Sequence, residues 1–161
     1  MTDDRAMCAE RSRALVRPMK VEDLGWVIEI AASLTTAPRW TYDVYARAIS
    51  SDSPVSRIAL VIEEAGQLVG YAVAKILPPE AELESIAIAE KAQGKGLGRE
   101  LLSALLLEAK QAGVEEILLE VRESNRRAAT VYGHAGFVED GRRRGYYRNP
   151  TEDAVLFRLL L

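Results

Sequence analysis

Apolar residues recur at two spacings along the chain, and their succession predicts the order of its secondary structure. Short or alternating apolar runs predict strands over residues 15–18, 58–63, 68–76, 83–88, 117–121, 137–140 and 155–160. Spacings of three and four predict helices from residue 23 to a break at 35–38, and over 41–49 and 98–112. A last helix, capped by Ser124-Asn125, is predicted to run to about residue 135. The strand–helix–strand segment over 83–121 requires a parallel crossover. We therefore expect a single-domain α/β fold, a mixed central sheet flanked by helices.

Composition limits what this domain can be. The chain has 161 residues, of which 48% are hydrophobic and 28% charged, as is typical of one globular domain. Residues 1–13 are polar and aperiodic, so we expect a disordered tail followed by a domain over 14–161. A net charge of -3 argues against direct nucleic-acid binding, because phosphate backbones attract proteins with excess Lys and Arg.

Metal-ligating residue types are scarce. Cys8 is the single cysteine, which excludes an intrachain disulfide and suits a reducing compartment, and His134 is the single histidine. We expect no metal site and place His134 on a helix surface. No apolar stretch approaches the roughly 20 residues that cross a bilayer, and the charged first residues lack a signal-peptide core. These features predict a cytoplasmic protein without membrane contact.

A glycine-rich turn over residues 93–99, Gln-Gly-Lys-Gly-Leu-Gly-Arg, separates a predicted strand from a predicted helix. Such a turn leaves backbone N–H groups unpaired at the positive end of a helix, where they bind phosphate. The glycine spacing matches neither the nucleotide P-loop nor the dinucleotide fingerprint. It matches Gln/Arg-x-x-Gly-x-Gly/Ala, so the segment resembles the acetyl-CoA pyrophosphate loop of the GNAT acetyltransferase superfamily. A flexible surface turn is the alternative interpretation.

The resemblance implies an acetyl-CoA site. In it the pyrophosphate contacts would come from the loop residues Gln93, Gly94, Lys95, Gly96, Leu97, Gly98 and Arg99. GNAT proteins commonly splay the strand before the loop away from its neighbour. Backbone groups of Ile86, Ala87 and Ile88 are therefore expected to hold the pantetheine arm and to polarise the thioester.

Glu120 interrupts the apolar run Ile-Leu-Leu-Glu-Val over 117–121, in a strand expected to be central and parallel. Such strands are covered on both faces, so a carboxylate there needs a partner, a water-filled cleft or a task. Glu120 is thus either half of a structural ion pair, a solvent-exposed strand end, or a general base for an amine.

Asn125 and Tyr132 stand seven residues apart, which places them on one face of the predicted helix with Ala128 and Ala129. The two alanines allow the sheet or a ligand to approach closely. Tyr132 is then either an aromatic anchor of the core or a general acid that protonates a departing thiolate.

A basic segment over 142–147, Arg-Arg-Arg-Gly-Tyr-Tyr, lies in the predicted turn between the last two strands. It is either a solvated hairpin turn or the wall of a peptide groove. In the second interpretation Tyr146 and Tyr147 face the substrate, and Trp40 helps to shape the acceptor groove from the N-terminal side.

Several motifs together resemble one GNAT family, the RimI-type ribosomal-protein-alanine N-acetyltransferases. They are Leu-Glu-Val-Arg-Glu-Ser-Asn over 119–125, Ala-Thr-Val-Tyr over 129–132, Gly-Phe over 136–137, Gly-Arg over 141–142, Tyr-Tyr over 146–147 and Glu-Asp-Ala over 152–154. The resemblance implies Glu120 as general base, Tyr132 as general acid and Asn125 as an acetyl-CoA contact. It also implies that the acceptor is the N-terminal peptide of a ribosomal protein, with transfer in a ternary complex.

The strand before the glycine loop departs from that family. The family typically has Leu-Asn-Ile-Ala-Val there, whereas this chain has Glu84-Ser-Ile-Ala-Ile. Some GNAT enzymes with other substrates carry their base glutamate on this strand, which makes Glu84 a rival base. The departure keeps two further hypotheses open: a GNAT enzyme that acetylates small amines or protein lysines, and a non-catalytic acyl-CoA-binding module.

Overall fold

One seven-stranded sheet organises the chain, seen here in a computed structural model that describes residues 14–161. The tail expected over 1–13, with Cys8, lies outside the described residues. The strands are β1 (Leu15–Pro18), β2 (Ser56–Glu64), β3 (Gln67–Leu77), β4 (Glu80–Ile88), β5 (Glu116–Arg122), β6 (Val138–Tyr147) and β7 (Glu152–Leu160). They are ordered β1-β2-β3-β4-β5-β7-β6. In this described sheet β4 and β5 pair in parallel and the other neighbours pair antiparallel, which confirms the mixed sheet.

Four α-helices cover parts of both faces of the sheet in the described chain. They are α1 (Leu24–Ser33), α2 (Tyr42–Ala48), α3 (Leu97–Gln111) and α4 (Arg126–His134). One apolar cluster packs α3 and α4 against β2 to β5 and β7, with Leu101, Leu105 and Ile117 at its centre. A second cluster packs α1 and α2 against β2, β3 and the end of β4.

The end of the chain differs from the expected strand–turn–strand. The basic segment lies inside β6, which runs on to Tyr147, well beyond the predicted end at residue 140. β6 is an edge strand of the sheet, and eight of its ten residues are exposed. An edge strand of this kind has no apolar alternation, so its pattern could not be told from that of a turn.

A β-bulge in β4 positions the functional site. Leu83 pairs with Ala74 and Ser85 pairs with Val73, so Glu84 is the extra residue of β4. A bulge bends its strand and increases the local twist. Pairing between β4 and β5 ends at Glu82, and the two strands separate beyond it. The splayed strand expected from the family resemblance is therefore present.

Candidate active site

A cavity of about 870 Å³ opens where β4 and β5 separate. One part of its wall comes from the glycine loop and α4, and another from the loop between α1 and α2 and the end of β6. The cavity is therefore bordered by elements from both faces of the sheet. It is lined by every site residue expected from the sequence except Lys95: Trp40, Glu84, Ile86, Ala87, Ile88, Gln93, Gly94, Gly96, Leu97, Gly98, Arg99, Glu120, Asn125, Tyr132, Tyr146 and Tyr147.

The glycine loop presents a row of free amides to this cavity. Within the described residues, the backbone N–H groups of 94–99 donate to no backbone carbonyl, whereas the next one, from Glu100, donates to Gly96. Gly94 and Gly96 have φ angles of 79° and 84°, a region that side chains disfavour. Since α3 begins at Leu97, the free amides lie at the positive end of a 15-residue helix. This arrangement suits a diphosphate.

Gln93 ties the loop to its surroundings. Its Nε2 donates to the carbonyl of Ile88 at 2.9 Å, and its Oε1 accepts from Arg127 of α4. Gln93 thereby fixes the end of the splayed strand to α4. The charged loop side chains are also held: Lys95 pairs with Glu64 at 2.9 Å, and Arg99 Nη2 lies 3.0 Å from His134 Nδ1. His134, placed on a helix surface by the sequence, therefore has a charged neighbour.

Glu120 faces the cavity from β5. Its side chain is 22% exposed and forms an ion pair with Arg143 at 3.1 Å, while Arg143 itself is 57% exposed. The Glu120 carboxylate lies beside the hydroxyl of Tyr146 and raises the pKa of that phenol. The structure thus gives Glu120 a charge partner as well as access to the cavity, two of the situations weighed from the sequence.

Glu84, the rival carboxylate, is held more closely. As the bulge residue of β4, it accepts from Arg57 Nε at 2.7 Å and from Arg57 Nη2 at 3.3 Å. Both side chains of this pair are largely buried, at 21% and 16% exposed. The Glu84 carboxylate is therefore engaged at two points by one guanidinium.

Tyr132 is buried, with its ring packed against Phe137 and Phe157 at centroid distances of 5.7 and 6.1 Å. Burial raises the pKa of its phenol, with a further contribution from Tyr147, so the hydroxyl keeps its proton at neutral pH. No fully buried side-chain polar atom of the described residues lacks a hydrogen-bond partner. The residue is thus a core aromatic whose polar end lines the cavity.

Asn125 is the N-cap of α4 and not a residue of the helix face. Its side chain accepts a hydrogen bond from the backbone N–H of Ala128 at 3.2 Å, which satisfies one of the free amides at the helix start. The sequence predicts a cap at Ser124-Asn125, and the structure gives that role to Asn125. Asn125 still lines the cavity together with Tyr132.

Aromatic rings complete the side of the cavity away from the glycine loop. Tyr146 and Tyr147 meet edge to face at 5.1 Å, and the Arg122 guanidinium lies 4.3 Å from the centre of the Tyr147 ring. Arg122 also forms an ion pair with Glu152 at 3.3 Å. Trp40 packs on the buried Tyr45 at 5.2 Å.

Sequence reasoning missed several residues of this wall. Two are arginines, Arg122 and Arg127, and the loop over 34–38 is a third contribution. Ser85 is the fourth: its hydroxyl donates to Tyr71 at 3.1 Å, and Tyr71 accepts in turn from Tyr45 at 3.0 Å. The family departure at 84–85 was the available signal for Ser85. Arg122 stood inside the 119–125 motif without a role of its own, and Arg127 had no signal, because charged residues near a helix start are usually solvated.

No helix within residues 14–161 is long and apolar enough to cross a membrane. The same residues contain no group of three or more His, Cys, Asp or Glu side chains arranged to hold a metal ion.

Comparison with known proteins gives consistent matches. A model of the acetyltransferase (GNAT) family matches residues 27–137. A Bacillus subtilis protein, provisionally named a ribosomal protein bS18-alanine N-acetyltransferase, is 35% identical over 146 residues, which are 91% of this chain and 95% of that protein. The Escherichia coli ribosomal protein bS18-alanine N-acetyltransferase is 40% identical over 98 residues, covering 58% of this chain and 65% of that protein. The crystal structure of the Escherichia coli ribosomal-protein-S18-alanine N-acetyltransferase superposes with a TM-score of 0.81 at 29% identity, covering 92% and 94%.

Proposed function

The chain belongs to the GNAT family of acetyltransferases, and from this premise we propose that it acetylates the N-terminal α-amine of a ribosomal protein that begins with alanine. As a member of the family it is an acyltransferase that takes its acetyl group from acetyl-CoA. The observation that carries the proposal is the cavity between β4 and β5, with free amides on one side and Glu120 among tyrosines on the other. The names of its relatives, at 35% and 40% identity, supply the acceptor.

The donor half of the site follows from the loop and the splayed strand. The free N–H groups of residues 94–99 bind the CoA pyrophosphate, with Arg99 and Arg127 as nearby positive charges. Because β5 pairs with β4 only up to Glu82, the backbone groups of residues 86–88 have no β5 partner and hold the pantetheine arm. Lys95 is bound to Glu64 and contributes no direct contact in this arrangement.

The acceptor amine needs a base before it can attack. An α-amine has a pKa of about 8 and is mostly protonated at neutral pH. Glu120 takes one proton from the ammonium, directly or through water, and the free amine attacks the thioester carbonyl. Backbone N–H groups of β4 stabilise the oxyanion that forms. As the tetrahedral intermediate collapses, the C–S bond breaks, the nitrogen releases its second proton to water, and the CoA thiolate accepts a proton from Tyr132. Water restores the Tyr132 proton and removes the one held by Glu120, and an amide and free CoA remain.

Two contacts favour Glu120 over Glu84 as this base. Glu84 is held at two points by Arg57, whereas Glu120 has a single ion pair with the more exposed Arg143. Glu120 also lies beside Tyr146, at the wall that we assign to the acceptor peptide. A second candidate function, acetylation of small amines or lysines, is favoured by one observation: Glu84, a rival carboxylate, also lines the cavity.

Ribosomal proteins are made in the cytoplasm, so this activity assigns the enzyme to that compartment. The direct test incubates the protein with acetyl-CoA and a peptide library that varies the first three residues, and reads acetylation by mass spectrometry. We expect acetylation of the α-amine of peptides that begin with alanine. Peptides with a blocked α-amine and an internal lysine, together with a panel of polyamines, serve as matched acceptors. Acetylation confined to those would overturn the proposal in favour of the second candidate.

A further inference from the structure

A second, smaller cavity of about 320 Å³ lies next to the candidate active site. The two cavities share two lining residues, Glu82 and Glu120. Residues of the strands β3 to β7 line this second cavity. The apolar cluster beneath α1 and α2 contains no residue of β5, β6 or β7. This groove is therefore continuous with the acceptor side of the active site and lies on a part of the sheet that α1 and α2 leave open.

The floor of the groove is apolar and only partly covered. Leu118 pairs with Glu82 across β4 and β5, and Leu156 pairs with Glu120 across β5 and β7, so these four side chains share one face of the sheet. Leu77, at the end of β3, is 55% exposed. The three leucines belong to neither apolar cluster of the core.

The rim of the groove carries an excess of carboxylates. Glu80, Glu82, Glu120 and Asp140 face two cations, Lys75 and Arg143. Each cation already has a carboxylate partner, Lys75 with Glu82 at 2.7 Å and Arg143 with Glu120 at 3.1 Å. Glu80 forms no ion pair with any described residue, and Asp140 has a long contact, 3.7 Å, with Arg158. The groove thus has negative charge that its own cations leave uncompensated.

We propose that this groove binds a basic side chain, arginine or lysine, from one of the residues that directly follow the acetylated N-terminus. The inference rests on the proposed function, because it takes the acceptor amine to lie at Glu120. Extended peptide advances about 3.3 Å per residue, so the next few residues reach a groove that begins at Glu120. Arginine and lysine combine an apolar stem with a charged head, which matches the leucine floor and the carboxylate rim.

The test measures kcat/KM for matched peptides that begin with alanine and carry arginine, lysine, glutamine or glutamate at positions two, three or four. For the wild-type chain we expect the best basic peptide to be preferred over its glutamine counterpart by about tenfold, a preference that declines as salt screens the charges. In the double variant Glu80→Gln with Asp140→Asn, we expect the preference to fall below about threefold, as removal of partly exposed charges predicts.

A matched control removes two carboxylates elsewhere. Asp52→Asn with Glu108→Gln changes the net charge equally at exposed positions outside both cavities and should retain the preference. Equal kcat/KM for basic and neutral peptides, or a preference for basic peptides that survives in the groove variant, would contradict the proposal that the groove binds a basic side chain. Neither result would contradict N-terminal acetylation. A protein that acetylates no α-amine in the panel but does acetylate lysines would overturn the proposed function and the groove together.

Discussion

The two halves of the sheet differ in what covers them. In β3, seven of the eleven residues are buried, and apolar residues point to both faces because α3 lies on one side and α1 with α2 on the other. In β6, at one edge of the sheet, no residue is buried and three of the ten residues are arginines. The covered half provides a rigid support, whereas the open half leaves charged and aromatic side chains free to meet a substrate. The candidate site lies where the halves separate, between β4 and β5.

Polar groups follow the same division. In the covered half, Tyr45, Tyr71 and Ser85 form a buried chain of hydroxyl groups that fixes β4 just beyond its bulge. In the open half, β6 carries exposed ion pairs such as those of Arg142 with Glu123 and Glu139. Buried hydrogen bonds define one geometry, whereas exposed ion pairs exchange readily with water. The buried hydroxyl chain therefore suits the positioning of β4, whereas the exposed ion pairs suit a surface on which substrates bind and leave.

The sharpest test of this division compares two carboxylates, one on each side of the separation. We expect Glu120→Gln to reduce turnover by about a hundredfold to ten-thousandfold, the usual cost of losing a general base. Glu84→Gln removes half of an ion pair with Arg57 and should lower turnover far less. Turnover across pH for both variants is the measurement. If only the Glu84 variant were slow, the base assignment would be wrong and the N-terminal acceptor would lose its main support.

The next effect concerns the donor loop. Gly98 lies in α3 with helical geometry, and a Cβ there would meet only Ile88 at 3.6 Å, so Gly98→Ala leaves the fold unstrained. If the pyrophosphate lies against this backbone, the added methyl group should weaken acetyl-CoA binding by about tenfold, since overpacking costs on the order of 1–3 kcal/mol. Isothermal titration with acetyl-CoA measures the affinity.

Two other glycines define the control. Gly25→Ala, in α1, has no atom within 4 Å of the new methyl group and should leave acetyl-CoA affinity unchanged. Gly96 is a poorer test site, because its φ of 84° would strain any substituted side chain whether or not a ligand is bound. Unaltered affinity in a folded Gly98→Ala variant would contradict the assignment of the loop to the pyrophosphate.

A substitution at Tyr132 distinguishes a packing role of its ring from a chemical role of its hydroxyl. Tyr132→Phe keeps the ring against Phe137 and Phe157 and removes only the hydroxyl. We expect turnover to fall at least tenfold, about 1.4 kcal/mol of barrier, with acetyl-CoA affinity nearly unchanged. Tyr42→Phe, at an exposed tyrosine outside the cavity, is the matched control. Wild-type turnover in the Tyr132 variant would make the ring a packing element, with water supplying the proton.

The smallest effect concerns stability, in the covered half. Asp23 receives two hydrogen bonds from Arg17 and one from the backbone of Lys20, and the Arg17 guanidinium holds the pKa of Asp23 below its usual range. A lowered pKa stabilises the fold at pH values above the unfolded pKa of about 3.9, and this contribution is lost as the pH falls through the folded pKa.

We therefore expect Asp23→Asn to cost about 1 kcal/mol at neutral pH, the difference between charged and neutral hydrogen bonds. Urea unfolding at pH 7 and at progressively acidic pH measures the free energy of unfolding. The difference between the variant and the wild type should shrink as the pH falls. Arg142→Gln, in the exposed ion pairs of β6, should give no measurable change in stability at either pH. A gap for Asp23→Asn that persists below the folded pKa would show that shape, and not charge, is responsible.

The sequence by itself determined the order of strands and helices and most of the cavity wall. Apolar periodicity is a local property, so β2, β3, α3 and β5 were predicted to within a few residues. The glycine loop was equally evident in the sequence. Gly94 and Gly96 adopt positive φ angles, which only glycine adopts without strain, so the loop conformation is written into its residue types. Glu120 stood out as a charge inside an apolar run.

The tertiary structure alone decided which charges meet and which surface stays open. Arg57 reaches Glu84, and Lys95 reaches Glu64, across 27 and 31 residues of sequence. Such pairs depend on strand register and on the bulge at Glu84, neither of which leaves a local pattern. The extension of β6 and the groove beside Glu120 arise for the same reason, since exposure of a strand depends on which helices cover it. Local patterns decide what each segment becomes, and the packing between segments decides what each side chain can do.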